Sequence, residues 1–159
     1  MHTNNSTKKG VYPLLSGNYF KNPNHQNAAK LVYCISGTAT VSILNPYTKQ
    51  IQNYTITPGQ VANVPQGWWH YEVALVDHTH LLAIFNAPTP EVILGSDILK
   101  FTPANIMSHT YCLDENQWKQ AIAPVKPTTY IGPYKDCNRQ GNLRYKMQHD
   151  QVQYPYTYP

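Results

Sequence analysis

Pro58-Gly59-Gln60-Val61-Ala62-Asn63-Val64-Pro65-Gln66-Gly67-Trp68-Trp69-His70-Tyr71 is the run on which the reading of this chain turns. Val61–Val64 alternates like a short strand between two Pro/Gly turns, and a second strand opens at His70. The punctuation is a Gly at 59, Pro-x-Gly at 65–67, and a His three residues after Gly67.

Short strands bounded by turns continue on both sides of this run. Upstream, residues 29–35 and 38–44 read as strands around Gly37. Asn45-Pro46-Tyr47-Thr48-Lys49 reads as a turn, and 50–57 as a strand carrying Ile51, Tyr54 and Ile56. Downstream, 70–76 and 79–86 read as strands. Residues 11–20 hold Val11-Tyr12-Pro13-Leu14-Leu15 and Gly17-Asn18-Tyr19-Phe20, an expected edge strand and turn. Such a series predicts an all-β sandwich or barrel. Helical patterning appears only after 96, over 97–100, 103–111 and 114–122. Asp114 is placed to cap the last helix, with Glu115 in its first turn, and Pro124 and Pro127 end it. Residues 1–10 are expected to be a flexible N-terminus. Residues 134–159 are expected to be a flexible basic tail rich in Tyr and Pro, with no apolar periodicity from 138 onward.

A second stretch matters beside the opening one: Asn22-Pro23-Asn24-His25-Gln26-Asn27-Ala28-Ala29-Lys30-Leu31-Val32-Tyr33-Cys34-Ile35-Ser36-Gly37. Together the two stretches resemble the two motifs of the cupin superfamily. The first family motif is His-x-His, a short gap, Glu, six residues, Gly. Aligned on Gly37, its first His falls on Pro23, its second on His25 and its Glu on Lys30. His70 matches the histidine of the second motif, whose closing Asn falls on Ala74. The resemblance implies a jelly-roll β-barrel with short C-terminal α-helices, a metal inside it, and His70 pointing inward. Two of the four family ligands, His25 and His70, are retained, and a cation stands in the carboxylate position. The order Leu81–Asn86, Pro90–Asp97 and Thr102–Met107 is similar to the end of an oxalate-decarboxylase or germin-type domain, where a strand, a lid-like loop and short helices follow the barrel. The expected cupin domain runs from 11 to 133, with the barrel over about 11–87 and the helical part over about 96–123.

Strand alternation predicts the interior. Residues two apart share a face. With His70 inward, Glu72 and Ala74 also point in, and with Lys30 inward, so do Val32 and Cys34. An acid and a base enter the same small space, and we expect Lys30 and Glu72 to form an internal salt bridge in place of the metal. The alternative is that Glu72 is solvated at a strand end and Lys30 reaches the barrel mouth.

His25, Lys30, His70 and Glu72 are the candidate ligand-binding residues. His25 and His70 are the candidate metal ligands, with Glu72 as a third donor. Metal sites in enzymes usually use at least three protein ligands, and Lys30 opposes a cation, so no cofactor is expected; the alternative is a divalent metal such as Mn. Glu91, at the lid position that the resemblance implies, is the candidate catalytic proton donor; its plainer reading is an exposed loop acid. His78 and His80 have His-x-His spacing but read as a surface turn.

Composition bounds the function classes. The chain has 159 residues, 42% of them apolar and only 13% charged, enough for one core. Residues 119–159 carry six basic against two acidic residues, which accounts for the whole net charge of +4. No apolar run approaches the ~18 residues of a membrane span, and the N-terminus lacks the apolar stretch of a signal peptide. Three cysteines without metal-type spacing point to a reducing compartment, so a cytoplasmic location is expected. A Cys112–Cys137 disulfide is left open. The tail could meet an acidic partner, an anionic membrane or nucleic acid, but a solvated tail is expected. The expected partners are a small-molecule ligand and a second copy in a homodimer, in which Thr128–Pro133 could serve as an exchanged arm.

The first functional reading is a cupin-fold protein with a degenerate metal site that binds a small, anionic molecule in the barrel. The alternatives are a metal-dependent enzyme of the oxalate-decarboxylase type with altered ligands, decarboxylase or oxidase in chemistry, and a structural, storage-like scaffold.

Overall fold

The computed structural model of the chain describes residues 9–14, 19–20 and 23–133. Residues 134–159, with Cys137 and four of the twelve basic residues, lie outside the described residues, as does the start of the N-terminus. The strands are β1 (Lys9–Leu14), β2 (Tyr19–Phe20), β3 (Pro23–His25), β4 (Lys30–Ser36), β5 (Ala39–Leu44), β6 (Ile51–Ile56), β7 (Val61–Val64), β8 (His70–Ala74), β9 (Thr79–Phe85), β10 (Val92–Leu94) and β11 (Ile131–Gly132). Three helices, α1 (Gly95–Phe101), α2 (Ala104–Tyr111) and α3 (Glu115–Ile122), fall between β10 and β11.

The strands form a four-stranded sheet, β1-β9-β4-β7, and a five-stranded sheet, β11-β2-β8-β5-β6. All their pairings are antiparallel. The short β3–β10 ladder lies apart from both. Between the sheets sit Val32, Cys34, Ala62, Val64 and Leu81 from one side and Ala39, Val41, Ile43, Ile56 and Ala74 from the other. The barrel expectation is corrected in one respect. Among the described residues the ladders end at β1 and β7 on one sheet and at β11 and β6 on the other, so the sheets are not closed into a cylinder. The ending strands β7 and β11 are four and two residues long, too short to carry a continuous ladder across.

Turn chemistry explains the regular part. Gly37 links β4 to β5 at φ +79°, and a Cβ there would lie 2.6 Å from Thr79 Cα, so the position admits only glycine. His78, at the tip before β9, has φ 57° and is exposed, as the surface-turn reading expected. Asp114 caps α3 through a 2.8 Å bond from the Gln117 N–H.

Two short strands lie beyond the 11–87 range expected for the barrel. β10 falls in the lid-like segment, and β11, inside the Thr128–Pro133 segment, pairs with β2. β11 is led to its place by a clasp. The Thr128 N–H donates to Asp97 Oδ1 at 2.5 Å, and the Thr129 N–H donates to Ser96 Oγ at 3.0 Å.

Candidate functional site

One end of the interior is polar. Along β4, Lys30, Val32 and Cys34 are buried while Leu31 and Ile35 are exposed. Along β8, His70, Glu72 and Ala74 are buried. Alternation therefore delivers Lys30 from the four-stranded sheet and His70 and Glu72 from the five-stranded sheet into the same space. Lys30 Nζ lies 2.5 Å from Glu72 Oε1, and the two side chains are 6% and 2% exposed. The salt bridge expected from the sequence is formed, and it is internal.

His25 reaches this end by a different route. It closes β3, outside both main sheets, and polar bonds strap its segment down. The Gly67 N–H donates to the His25 carbonyl at 2.9 Å, and the Gln26 N–H donates to the Glu91 carbonyl at 3.2 Å. Asn27 bridges to the Thr89 carbonyl and the Glu91 N–H at 3.0 and 2.8 Å, and Asn86 Oδ1 accepts from the Ala29 N–H at 2.8 Å. The Pro65–Gly67 turn that precedes His70 therefore also anchors His25. The two imidazoles stand 5.5 Å apart, ring centre to ring centre. Phe85 packs edge-on against His25 at 4.6 Å. Sequence reasoning passed over Phe85, although it shares a face of β9 with Leu81 and Ala83.

Both rings are held neutral. Burial, reinforced by the Lys30 ammonium, lowers the His25 pKa to about 4 and the His70 pKa to about 3. His70 Nδ1 is 3.0 Å from the Trp68 carbonyl. A carbonyl only accepts, so Nδ1 carries the proton and Nε2 is left with a bare lone pair. That Nε2 is buried without a hydrogen-bond partner among the described residues, as are both ring nitrogens of His25.

The donor set does not suit the metal that the family resemblance implies. Two imidazoles offer lone pairs, but the nearest carboxylate is already bound to an ammonium. Among the described residues no group of three or more His, Cys, Asp or Glu side chains is arranged to hold a metal ion. Glu91 is exposed, and its main chain, not its carboxylate, ties down the His25 segment. His80 is engaged at 2.9 Å by Ser36 Oγ, on the face away from the core. Cys34 is buried and Cys112 exposed, both as free thiols.

Among the hollows lined by described residues, two can be compared with the site. One, of about 290 Å³, touches the site only through Lys30 and Phe85, with Ala29, Leu31, Asn63, Ile84 and Asn86 completing its walls. The other, of about 610 Å³, lies between α2 and α3. His25, His70 and Glu72 line neither. No helix is long and apolar enough to cross a membrane among the described residues.

A family model described as Cupin matches residues 21–119. Among solved structures, the oxalate decarboxylase of Bacillus subtilis at pH 4.6 superposes with a TM-score of 0.69 at 20% identity, over 86% of this chain and 37% of that one. The coconut allergen cocosin gives 0.69 at 17% identity, over 79% and 34%. An oxalate oxidase in complex with the substrate analogue glycolate gives 0.68 at 12%, over 74% and 62%. The chain spans little more than a third of the decarboxylase and cocosin chains it resembles. No curated protein matches the sequence. At these identities the structural likeness shows the fold alone.

Proposed function

The chain belongs to the cupin family, and on that premise we propose that it is a non-catalytic, metal-independent member that binds a small neutral molecule beside an internal ion pair. The observation that carries this reading is the Lys30–Glu72 contact next to two imidazoles with unpartnered ring nitrogens. The ammonium supplies, from within the chain, the positive charge that a metal would bring. Glu72 already balances that ammonium, so an anionic ligand would find no uncompensated cation. His70 Nε2 offers a lone pair and no proton, so it suits a hydroxyl or amide donor and repels a carboxylate. Buried polar atoms without partners are costly, and a ligand or an ordered water that donates to them relieves that cost. A neutral, hydroxyl-bearing molecule therefore fits better than the anion expected from the sequence. The free thiols Cys34 and Cys112 suit the cytoplasmic location included in this proposal.

A scaffold role is the second reading. It is favoured by one observation: the side chains of His25, His70 and Glu72 are buried in the interior. Titration of protein labelled with ¹⁵N-histidine separates the two. Binding predicts that glycerol or ethylene glycol shifts the His70 Nε2 resonance and raises the melting temperature, and that oxalate does neither. A response to oxalate alone would contradict the neutral-ligand reading. No response to any of them would favour the scaffold.

A further inference from the structure

Among the described residues four strands end the two main ladders, and three of them are guarded. β1 carries Lys9 and Pro13, β7 is four residues long, and β11 is two residues long and followed by Pro133. Charge, proline and shortness are the ordinary devices that keep a bare edge from pairing with another chain. β6 has none of them. Ile51–Ile56 is six residues with no charge and no proline, and every residue from Ile51 to Thr55 is exposed. Its main chain is also set up to pair. The Asn45 N–H donates to the Gln50 carbonyl at 2.9 Å, and the β5–β6 register runs on from that pair. Main-chain groups alternate in direction along an antiparallel strand. Gln52, Tyr54 and Ile56 therefore bond to β5, and the N–H and C=O groups of Ile51, Asn53 and Thr55 point away from it. Side chains alternate too, so Gln52 and Tyr54 share the core side of β6 with the buried Ile56. Tyr54 is nevertheless 46% exposed, because the four-stranded sheet stops at β7 and covers only the Ile56 end.

We infer that the free edge of β6 binds an extended segment of another protein by strand addition, as a further strand of the five-stranded sheet. A row of N–H and C=O groups at strand spacing is matched by another extended main chain. The chemistry of the segment follows from the two sides of β6. Beside Asn53 and Thr55 it presents hydroxyl or amide side chains. Beside Tyr54 and Ile56 it presents aliphatic or aromatic ones, which cover the exposed ring of Tyr54. No charge stands on β6 to meet a charged partner, so the segment is uncharged. A second copy of β6 fits less well. It would bring Gln52 to the side where an apolar residue against Tyr54 and Ile56 removes more area from water.

Titration of the ¹⁵N-labelled full chain with uncharged, end-capped peptides of about six residues, threonine alternating with valine, isoleucine or tyrosine, tests this. Binding is expected to shift the amide signals of Ile51, Asn53 and Thr55 and to slow their hydrogen exchange about tenfold. The amides of Gln52 and Tyr54, already bonded to β5, should change less. The same peptides with every amide N-methylated have no donors and should not bind. Thr55→Pro removes an N–H from the free edge and leaves the bonds to β5 in place, so it should abolish binding with β-sheet circular dichroism retained. Tyr54→Lys, a charge on the same edge, should weaken binding about tenfold, and Thr48→Lys, in the exposed turn before β6, should not. Three results would overturn the inference: no shift at β6 with any peptide at about 1 mM, equal binding of the N-methylated peptides, or binding unchanged by both Thr55→Pro and Tyr54→Lys. So would β6 amides already protected in a free chain that sediments as a dimer, which would give the edge to a second copy.

Discussion

The same pair of sheets builds two interiors of opposite character. At one end, Val32, Cys34, Ala39, Ala62, Ala74 and Leu81 make an apolar core in which no charge is buried. At the other, a few residues along the same strands, Lys30, His70 and Glu72 are buried beside His25, which β3 brings in. The backbone treats both ends alike; β4 runs Lys30, Val32, Cys34 inward and β8 runs His70, Glu72, Ala74 inward. The difference lies only in which side chains the alternation delivers. The apolar end gains from area removed from water and from close packing. The polar end costs desolvation, and it holds because each charge has the other as partner. One end should therefore respond to changes of volume and the other to changes of charge.

The largest effect should come from breaking the pair. Lys30→Met leaves Glu72 buried without its ammonium and should cost about 3–5 kcal/mol in urea unfolding. The double variant Lys30→Met/Glu72→Leu should recover most of that loss, because it removes both desolvation costs. Small, additive effects would mean that the two groups do not interact. At the apolar end, Leu81→Ala should cost about 3 kcal/mol. That loss should be independent of pH and should have no second-site rescue by charge.

Acid sharpens the contrast further. The His25 and His70 pKa values are lowered to about 4 and about 3 in the folded chain, against about 6.5 unfolded. A ring lowered in this way contributes stability that is fully present above pH 6.5. That stability is lost as pH falls toward the folded value, because only the unfolded chain takes up the proton. The loss should be about 1.4 kcal/mol per pH unit from each ring, levelling off sooner for His25 than for His70. His70→Gln should flatten this limb, and Leu81→Ala should leave its slope unchanged. A melting temperature constant from pH 7 to 4.5 would refute the buried neutral imidazoles.

Much of this was legible in the sequence. Strands from 30 to 85 and helices from 95 to 122 follow from Gly/Pro punctuation and periodicity, which are local signals. The inward placement of Lys30, His70 and Glu72 follows from alternation once one of them is anchored. β3 and β10 were not legible, because strands of three residues exist only through partners distant in the chain. The tautomer of His70 was hidden for a related reason: the main-chain carbonyl of Trp68 sets it, and a carbonyl leaves no trace in residue identity. The barrel was over-read, since closure depends on edge-strand length in three dimensions and not on the number of strands.

The central claim is that the ion pair stands in place of a metal. Elemental analysis tests it most directly, on protein purified without an affinity tag, incubated with equimolar Mn(II) and desalted. The account predicts far less than one Mn, Fe, Zn or Ni per chain, for wild type and His70→Ala alike. About one metal per chain in the wild type, lost on His70→Ala, would contradict it.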